Sequence, residues 1–515
     1  MPPPWSGGCF SQSIMRFGSF DVVLAAVCAW GGACAKATGT QASATQTIER
    51  TPVMCAIPPP SQQYYCQSHG KIRLVRVLII RGGGATVAAL IALAVSQAPL
   101  GSPLFFALAS VPCVVYALLL RRLLSGERLE APEPADSSGR MRLFTIAVLM
   151  AVAFRVPLAV PRVGADNDMV RYMYDGRLQR LGYNPFEVLP ADPAVAWTHT
   201  DETRRMPSIR ARTPYPAAAQ LFFRLVVTIH ESSRAMKWAL VLCDLLTVWV
   251  LIAWLRATGR SEWLAMLYAW NPLVVLEIAH SGHIDALGGL WIAVSAWMLS
   301  TGRGMRAAVA FVIAVASKLL PIVLIPLYWK RIRIRDAAVA ALVLAALYYP
   351  FRSAGLLPLG AVPNVVQYIR FNGPLFKWIA LQFTPQAAAG FAVLTGLAVA
   401  AWLRFQRPAG DPAAWAWPMA VSVAAAPVIY PWYLLYFTPF LFTRATLPLA
   451  VWTYSVLPVY VVWHLSRHGH RWFVPTPVLW LEFVPVAGAI VYAAIRRRRR
   501  VVRSEPLPIS SVPPQ

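Results

Sequence analysis

Long apolar segments recur along this chain and constrain its fold more than any other feature. They are runs of roughly 15 to 22 residues, about the length that crosses a bilayer as a helix, and short connectors rich in arginine separate them. The chain is 57% hydrophobic and only 13% charged. Backbone polar groups in lipid must be paired within the segment, which favours helices. We therefore predict an all-α polytopic membrane protein with a bundle of about 12–14 transmembrane helices.

The net charge of +25 raises the question of a nucleic-acid partner. The arginines, however, cluster beside the apolar runs, where they would face the cytoplasmic leaflet and set the topology. No basic face exists away from those runs. The sequence therefore predicts the lipid bilayer as a partner and excludes nucleic acid.

The domain organisation follows from where these runs begin and end. Residues 1–70 are expected to be a disordered N-terminal extension, and residues 71–495 form the transmembrane domain. A basic, proline-rich cytoplasmic tail is expected at 496–515. The first outer loop, which carries the candidate catalytic residues, spans 163–235, and a second outer loop spans 350–384.

The positive-inside rule gives a topology for the polar residues. Keeping the short arginine-rich connectors inside places the polar insert 163–214 on the non-cytoplasmic side. The segment Pro214 to Ile229 is then expected to lie in the outer interface. Lys318 lies between two basic connectors, so a short hairpin with Lys318 at its outer tip is predicted. His283, Arg370 and Trp432 are expected on the same outer side.

The acidic cluster Asp166-Asn167-Asp168 directly follows a predicted span. A carboxylate at the outer membrane surface could accept a proton from an attacking sugar hydroxyl, so Asp168 and Asp166 are candidate catalytic residues. The alternative is a helix N-cap, for which Asp and Asn are well suited. Asp175 adds a further carboxylate near the same helical face.

Four polar residues around Gly282 allow several interpretations. Glu277, His280, His283 and Asp285 look like a metal set, but Gly282 is expected to break the helix between them. A substrate contact or a plain polar turn between two spans explains them equally well. We expect no metal site and no cofactor, with a divalent metal as the open alternative.

Two cations and an aromatic motif complete the candidate site. Lys318 and Arg370 are candidates for binding the phosphate of a lipid-linked donor, because a phosphate leaving group needs positive charge nearby. Snorkelling of Lys318 and an ordinary loop position for Arg370 are the alternatives. Trp432 and Tyr433, in the motif Tyr430-Pro431-Trp432-Tyr433, could anchor a span at the interface or stack on a sugar.

The chain resembles a known family through the order of its motifs between about residues 75 and 495. The motifs are Asp168-Met169-Val170-Arg171-Tyr172, Tyr174-Asp175-Gly176, Gly182-Tyr183-Asn184-Pro185-Phe186, Thr213-Pro214-Tyr215-Pro216, Asn271-Pro272, Gly282-His283-Ile284-Asp285, Phe371-Asn372-Gly373 and Tyr430-Pro431-Trp432-Tyr433. In this order they resemble the polyprenol-phosphate-sugar-dependent membrane glycosyltransferases of the GT-C fold, particularly bacterial mannosyltransferases.

The resemblance implies an inverting transfer of a hexose, with mannose favoured, from a polyprenyl-phosphate-linked donor to a glycan or lipid-linked acceptor. It implies a bacterial inner membrane, an active site on the periplasmic side and Asp168 as the base. The residues expected to contact substrate are Arg171, Tyr172, Asp175, Tyr215, His283, Asp285, Asn372, Trp432 and Tyr433.

The competing class is a polytopic transporter or lipid flippase without transferase activity. A transporter is expected to hold polar residues in the middle of its spans, often in two related halves. The polar residues of this chain gather instead at outer span ends and in loops. A non-catalytic assembly subunit is a further alternative, and a lipid-lined groove beside Asp168 would favour the enzyme over it.

Overall fold

The structure is a computed structural model that describes residues 75–125, 137–160, 168–206, 209–356 and 358–504. The expected extension at 1–70, the candidate Asp166 and the end of the tail from residue 505 lie outside these ranges. The domain boundaries proposed above therefore stay predictions. Everything below concerns the described residues.

The described part of the chain is almost entirely helical. It has no sheet, only an isolated bridge between Phe371 and Val428. Apart from the 3₁₀ helices and one four-residue turn of α-helix at Met266–Ala269, the helices in chain order are α1 Val75–Ser96, α2 Pro103–Ser125, α3 Ser137–Ala159, α4 Asp168–Arg180, α5 Ala217–Ile229, α6 Ser233–Ala257, α7 Pro272–Ser281, α8 Asp285–Ser300, α9 Gly304–Ser317, α10 Ile334–Tyr348, α11 Val362–Tyr368, α12 Pro374–Ile379, α13 Pro385–Gln406, α14 Pro412–Ala424, α15 Leu447–Ser455, α16 Val461–Arg467 and α17 Thr476–Ser504.

Eight helical segments in the described ranges are long and apolar enough to cross a membrane. They are α1, α2, α3, α6, α10 with the turn after it, α13, the segment Arg444–Arg467 that contains α15 and α16, and most of α17. Four further apolar helices, α5, α7, α8 and α9, are shorter. The predicted all-α polytopic membrane class is confirmed. The expected count of about 12–14 crossings stays a prediction, because eight helices in the described ranges are long enough to cross and four apolar ones are shorter.

Two apolar segments, one after α9 and one after α14, form long 3₁₀ helices, Leu320–Tyr328 and Pro431–Phe440. Each begins with a proline in its first turn and has a second proline inside, a pattern that the α-helix α14 shares. A 3₁₀ helix rises about 2 Å per residue, so these short segments cover more depth than α-helices of equal length. Each of these segments therefore spans a greater length than an α-helix with the same number of residues.

The hairpin predicted around Lys318 is present. Helix α9 ends at Ser317, and Lys318 has an extended backbone before the 3₁₀ helix begins at Leu320. The rings of Phe311 and Tyr328 lie 4.6 Å apart, which shows that the returning segment runs back along α9. Lys318 is therefore at the tip of the turn.

Helix α5 is shorter than the helices that could cross a membrane, and its place in the outer interface stays a prediction. It has 13 residues and is about 20 Å long, which is short of the ~30 Å of a bilayer core. It packs on α4, where the rings of Phe223 and Tyr172 stack at 4.5 Å. The main chain of Phe223 also lies close to Gly176 of α4. The two helices of the first outer loop therefore form one packed unit.

A buried ion pair that the sequence analysis missed joins two of the long helices. Arg155 of α3 contacts Asp244 of α6 through two nitrogens, at 2.5 and 3.2 Å, and both side chains are fully buried. Arg155 also donates to the carbonyl oxygens of Ala151 and Ala269. A buried charge needs such complete pairing. The pair fixes α3, which leads into the first outer loop, against α6.

Gly282 makes the turn between α7 and α8. Its φ of 79° lies in the left-handed region that favours glycine. A Cβ atom at this position would also stand 2.6 Å from the sulfur of Met169. The helix break predicted at Gly282 is confirmed, and it delivers His283 and Asp285 to the neighbourhood of α4.

Replacing Gly282 by alanine should destabilise the protein modestly. The left-handed backbone costs a non-glycine residue about 1–2 kcal/mol, and Met169 must also move. We expect a lower thermal unfolding midpoint in detergent. The control is Gly259→Ala, because Gly259 also has a positive φ, of 65°, and has open space around it. If Gly282→Ala cost no more than Gly259→Ala, the contact with Met169 would contribute nothing.

Candidate active site

One cavity of about 530 Å³ collects most of the candidate residues. Part of its lining, which we call the polar cluster, consists of Asp168, Tyr172, Tyr215, Asp285, Lys318 and Tyr433. A second part, which we call the apolar wall, consists of Val362, Val365, Ile369, Ala389, Ala392 and Val393. The apolar wall comes from α11, α13 and the residue after α11, and these two helices pack on each other.

Asp285 and Lys318 form the centre of the polar cluster. The Lys318 ammonium lies 2.6 Å from Oδ1 of Asp285 and 4.3 Å from the centre of the Tyr433 ring. Asp285 is buried, whereas the Lys318 side chain is 24% exposed. Lys318 can therefore reach a ligand in the cavity while its partner holds it in place.

Asp168 is the first residue of α4 and lines the same cavity. Its side chain is 37% exposed, much more than that of Asp285, at 1%. The Tyr215 hydroxyl donates a hydrogen bond to the carboxylate of Asp168. Its surroundings raise the pKa of Asp168 to about 6, chiefly through desolvation, with the charge of Lys318 opposing the rise. A carboxylate with this pKa and access to the cavity is suited to accept a proton near neutral pH.

His283 stands behind Asp168. Its Nδ1 lies 3.8 Å from Oδ2 of Asp168, and its Nε2 lies 3.1 Å from Oε2 of the buried Glu277. The imidazole also stacks on Trp432 with ring centres 4.1 Å apart. His283 is nearly inaccessible and does not line the cavity. His283 can therefore position the carboxylate of Asp168, but it does not reach a ligand in the cavity.

Aromatic rings cover one side of the cavity. Trp432 stacks on Tyr430 at 4.4 Å, and Tyr430 stacks on Phe371 at 4.6 Å. This row continues the stack of Trp432 on His283. The rings in this row cover one another's faces, so Trp432 fixes the cavity wall chiefly through its stacking partners. Trp432 and Tyr433 both line the cavity, and the choice between an interfacial anchor and a sugar contact stays open.

Arg171 and Asp175 form an ion pair with one another. Arg171 Nε lies 2.7 Å from Oδ1 of Asp175, and Oδ2 of Asp175 accepts from the Gln220 amide at 2.9 Å. The Arg171 guanidinium also donates to the Ala211 carbonyl. Neither residue lines the cavity. Their contacts join α4 to α5 and to the end of the loop that delivers Tyr215.

Arg370 and Asn372 also lie outside the cavity lining. The Arg370 guanidinium donates to three carbonyl oxygens at the end of α11, those of Val366, Gln367 and Ile369. Asn372 donates to Glu482 of α17 at 2.8 Å. These contacts organise the second outer loop. The structure does not bring Arg370 to Lys318 in the lining, and its phosphate role stays a prediction.

Several cavity residues escaped the sequence analysis. Tyr436, Trp463 and Trp472 line the cavity, as do all members of the apolar wall. Tyr436 lies one helical turn beyond Tyr433, and that spacing was a usable signal. The apolar wall gave none, because its residues are indistinguishable from ordinary span or loop residues until α11 and α13 are placed together.

The candidate metal set is not assembled as a ligand cluster. Within the described ranges, no group of three or more His, Cys, Asp or Glu side chains is arranged to hold a metal ion. Glu277 and His283 approach each other, but Asp285 is engaged with Lys318. Asp166 lies outside the described residues. The expectation of no metal stays a prediction.

Comparisons with known proteins add little to this geometry. No family model matches the chain, and no curated protein matches it. A solved structure, ArnT from Cupriavidus metallidurans in the apo state, is similar with 14% identity and a TM-score of 0.38, and the match covers 70% of this chain and 75% of that chain. Values this low do not establish a shared fold, so the function is inferred from the cavity and its residues.

Proposed function

We propose that this protein is an integral membrane glycosyltransferase of the GT-C type. It transfers a hexose from a polyprenyl-phosphate-linked donor to a glycan or lipid-linked acceptor. The observation that carries the proposal is the composition of the cavity, which joins a cation and two carboxylates to an apolar wall. A lipid with a charged, sugar-bearing head and a hydrocarbon tail has the same two-part character. Mannose is the sugar that the motif resemblance favours.

The donor head group fits the polar cluster. Lys318 is the cation of the cavity lining in the described residues, so the donor phosphate is placed beside it. The rings of Tyr433 and of the exposed Trp472, which both line the cavity, then offer apolar surface for the sugar. The isoprenyl chain follows the apolar wall of α11 and α13. Burying the isoprenyl chain stabilises the complex in proportion to the apolar surface area removed from water, whichever apolar residues form the wall.

Transfer requires one proton acceptor and one stabilised leaving group. The acceptor hydroxyl gives its proton to Asp168 as its oxygen attacks C1 of the sugar from the side opposite the phosphate. The bond between C1 and the phosphate oxygen breaks, and the phosphate leaves with one more negative charge. Lys318 stabilises that charge. One displacement of this kind inverts the configuration at C1.

A transfer assay tests the function. Purified protein in lipid nanodiscs is given radiolabelled polyprenyl-phosphate-mannose and a membrane fraction that contains endogenous glycans. We expect label to move from the donor lipid into glycan or lipid-linked glycan. Label that stays on the donor, or that appears only as free sugar, would contradict a transferase. A second labelled hexose donor shows whether mannose is preferred.

The topology gives a separate expected result. Asp168, Asp285, Lys318 and Trp432 line or support one cavity and must share one side of the membrane, which we propose is the periplasmic side. In a variant without native cysteines, Ala196→Cys should react with a membrane-impermeant reagent in intact cells. Ala257→Cys, on an arginine-rich connector, should react only after permeabilisation. The reverse pattern would place the cavity on the cytoplasmic side.

A further inference from the structure

We propose that the lipid phosphate product is held in this cavity together with one proton, and that it leaves readily only after the site has lost that proton. This inference rests on the proposed function, because it takes the product to be a polyprenyl monophosphate. It adds a release step that depends on pH to the transfer step described above. The charges that line the cavity determine this pH dependence.

The side chains that line the cavity have an excess of negative charge. Its described lining contains two carboxylates, Asp168 and Asp285, and one cation, Lys318. Lys318 is already paired with Asp285 at 2.6 Å. Arg171, the nearest guanidinium on α4, is paired with Asp175. A bound phosphate therefore meets a site whose cation is already shared and whose second carboxylate, Asp168, repels it.

The reaction keeps the total charge of the site constant only if Asp168 retains its proton. Before transfer, the donor phosphodiester has one negative charge and Asp168 has another. After transfer, the phosphate has up to two negative charges, and Asp168 is neutral because it has taken the acceptor proton. Loss of that proton would add a further negative charge to a cavity of low polarity, where like charges interact strongly. The protonated site therefore binds the product best.

Groups from every neighbouring element set the protonation of Asp168. Those that face it are Arg171 and Tyr172 from α4, Tyr215 from the segment before α5, His283 and Asp285 from the turn into α8, Lys318 from the end of α9, and Tyr433 from the 3₁₀ helix Pro431–Phe440. Lys318 lowers the pKa of Asp168, whereas Asp285 and desolvation raise it. A bound phosphate is an added negative charge, which raises the pKa further.

Binding of the lipid phosphate product should therefore weaken as the pH rises. Above pH 7, the free phosphate monoester has lost most of its second proton, since its second pKa is about 6. The free site has also lost most of its proton, because the pKa of Asp168 is about 6. Binding must then take up a proton, and its dissociation constant rises by about tenfold per pH unit. Release of the product is favoured at higher pH.

Titration of the protein in nanodiscs with farnesyl phosphate, a short isoprenyl monophosphate, tests this inference. Dissociation constants are measured from pH 7 to pH 9 with a chelator present, so that no divalent cation supplies positive charge. We expect a rise of about tenfold per pH unit for the wild type. Asp168→Asn should bind more tightly than the wild type at pH 9, with little dependence on pH. Asp201→Asn removes an exposed carboxylate of the same loop and should match the wild type.

Calorimetry of the wild type in two buffers of different ionisation enthalpy gives a second readout that needs no variant. We expect close to one proton to be taken up per farnesyl phosphate at pH 8. Binding without proton uptake and without pH dependence would overturn this inference and leave the proposed function standing. A steep pH dependence that persists in Asp168→Asn would place the proton on the phosphate and overturn the role of Asp168. Absence of binding at every pH would overturn both.

Discussion

Asp168→Asn should leave the protein folded in the membrane and lower turnover by about 10²–10⁴, the usual cost of removing a general base. The substitution keeps the shape of the side chain and its place in the first turn of α4, but the amide cannot accept the proton of the attacking hydroxyl. Initial rates of sugar transfer and a thermal unfolding curve are the two measurements. Asp201→Asn is the matched control, because its side chain is fully exposed and it lies in the same loop.

The wild-type pH profile gives an independent check on the same residue. The basic form of Asp168 is lost as the pH falls through about 6, so kcat/KM should decline by about tenfold per pH unit below that value. The acidic limb should disappear from the small residual activity of Asp168→Asn. Full activity in this variant would show that another group takes the proton. Asp166 would then be the next residue to test.

Lys318→Met should lower kcat for the lipid-linked donor by about 10²–10³, as expected when a group that stabilises developing negative charge is removed. It should also destabilise the protein, because Asp285 would remain buried without its partner and removal of one member of a buried pair costs about 3–5 kcal/mol. Those two effects must be separated before the loss of rate is interpreted.

A double variant separates them. Lys318→Met with Asp285→Asn removes both charges, so folding should recover relative to Lys318→Met alone while turnover stays low. Recovery of turnover together with folding would show that Lys318 acts only through stability. Arg370→Met is the second control, because this guanidinium is held by three carbonyl oxygens at the end of α11. A fall in kcat as large as that of Lys318→Met would show that Arg370 also acts on the donor phosphate.

The class of the fold could be predicted from the sequence because the bilayer limits the choices. Repeated apolar runs require helices, and arginine connectors give the order in which the chain crosses. Lys318 could be placed at the tip of a hairpin because two basic connectors flank it. Helix type could not be predicted from the proline pairs of the two 3₁₀ helices, because α14 has the same kind of pair, Pro412 and Pro418, and is an α-helix.

The parts that could not be predicted depend on contacts between distant segments. Arg155 and Asp244 look like isolated charges within two spans until α3 and α6 are packed together. The apolar wall likewise exists only once α11 lies on α13. Asp175 is a different case, because its spacing of four residues from Arg171 on a helix favours an ion pair. That local signal could have separated Asp175 from Asp168 at the outset.

A structure of the protein with a non-hydrolysable polyprenyl-phosphate-sugar analogue would test the proposed donor site. We expect the phosphate within hydrogen-bond distance, about 3 Å, of the Lys318 ammonium, the anomeric carbon on the side that faces Asp168, and the first isoprene units against Val365 and Ala392, as this site requires. A phosphate bound elsewhere, with the cavity between Asp168 and Lys318 empty, would contradict it.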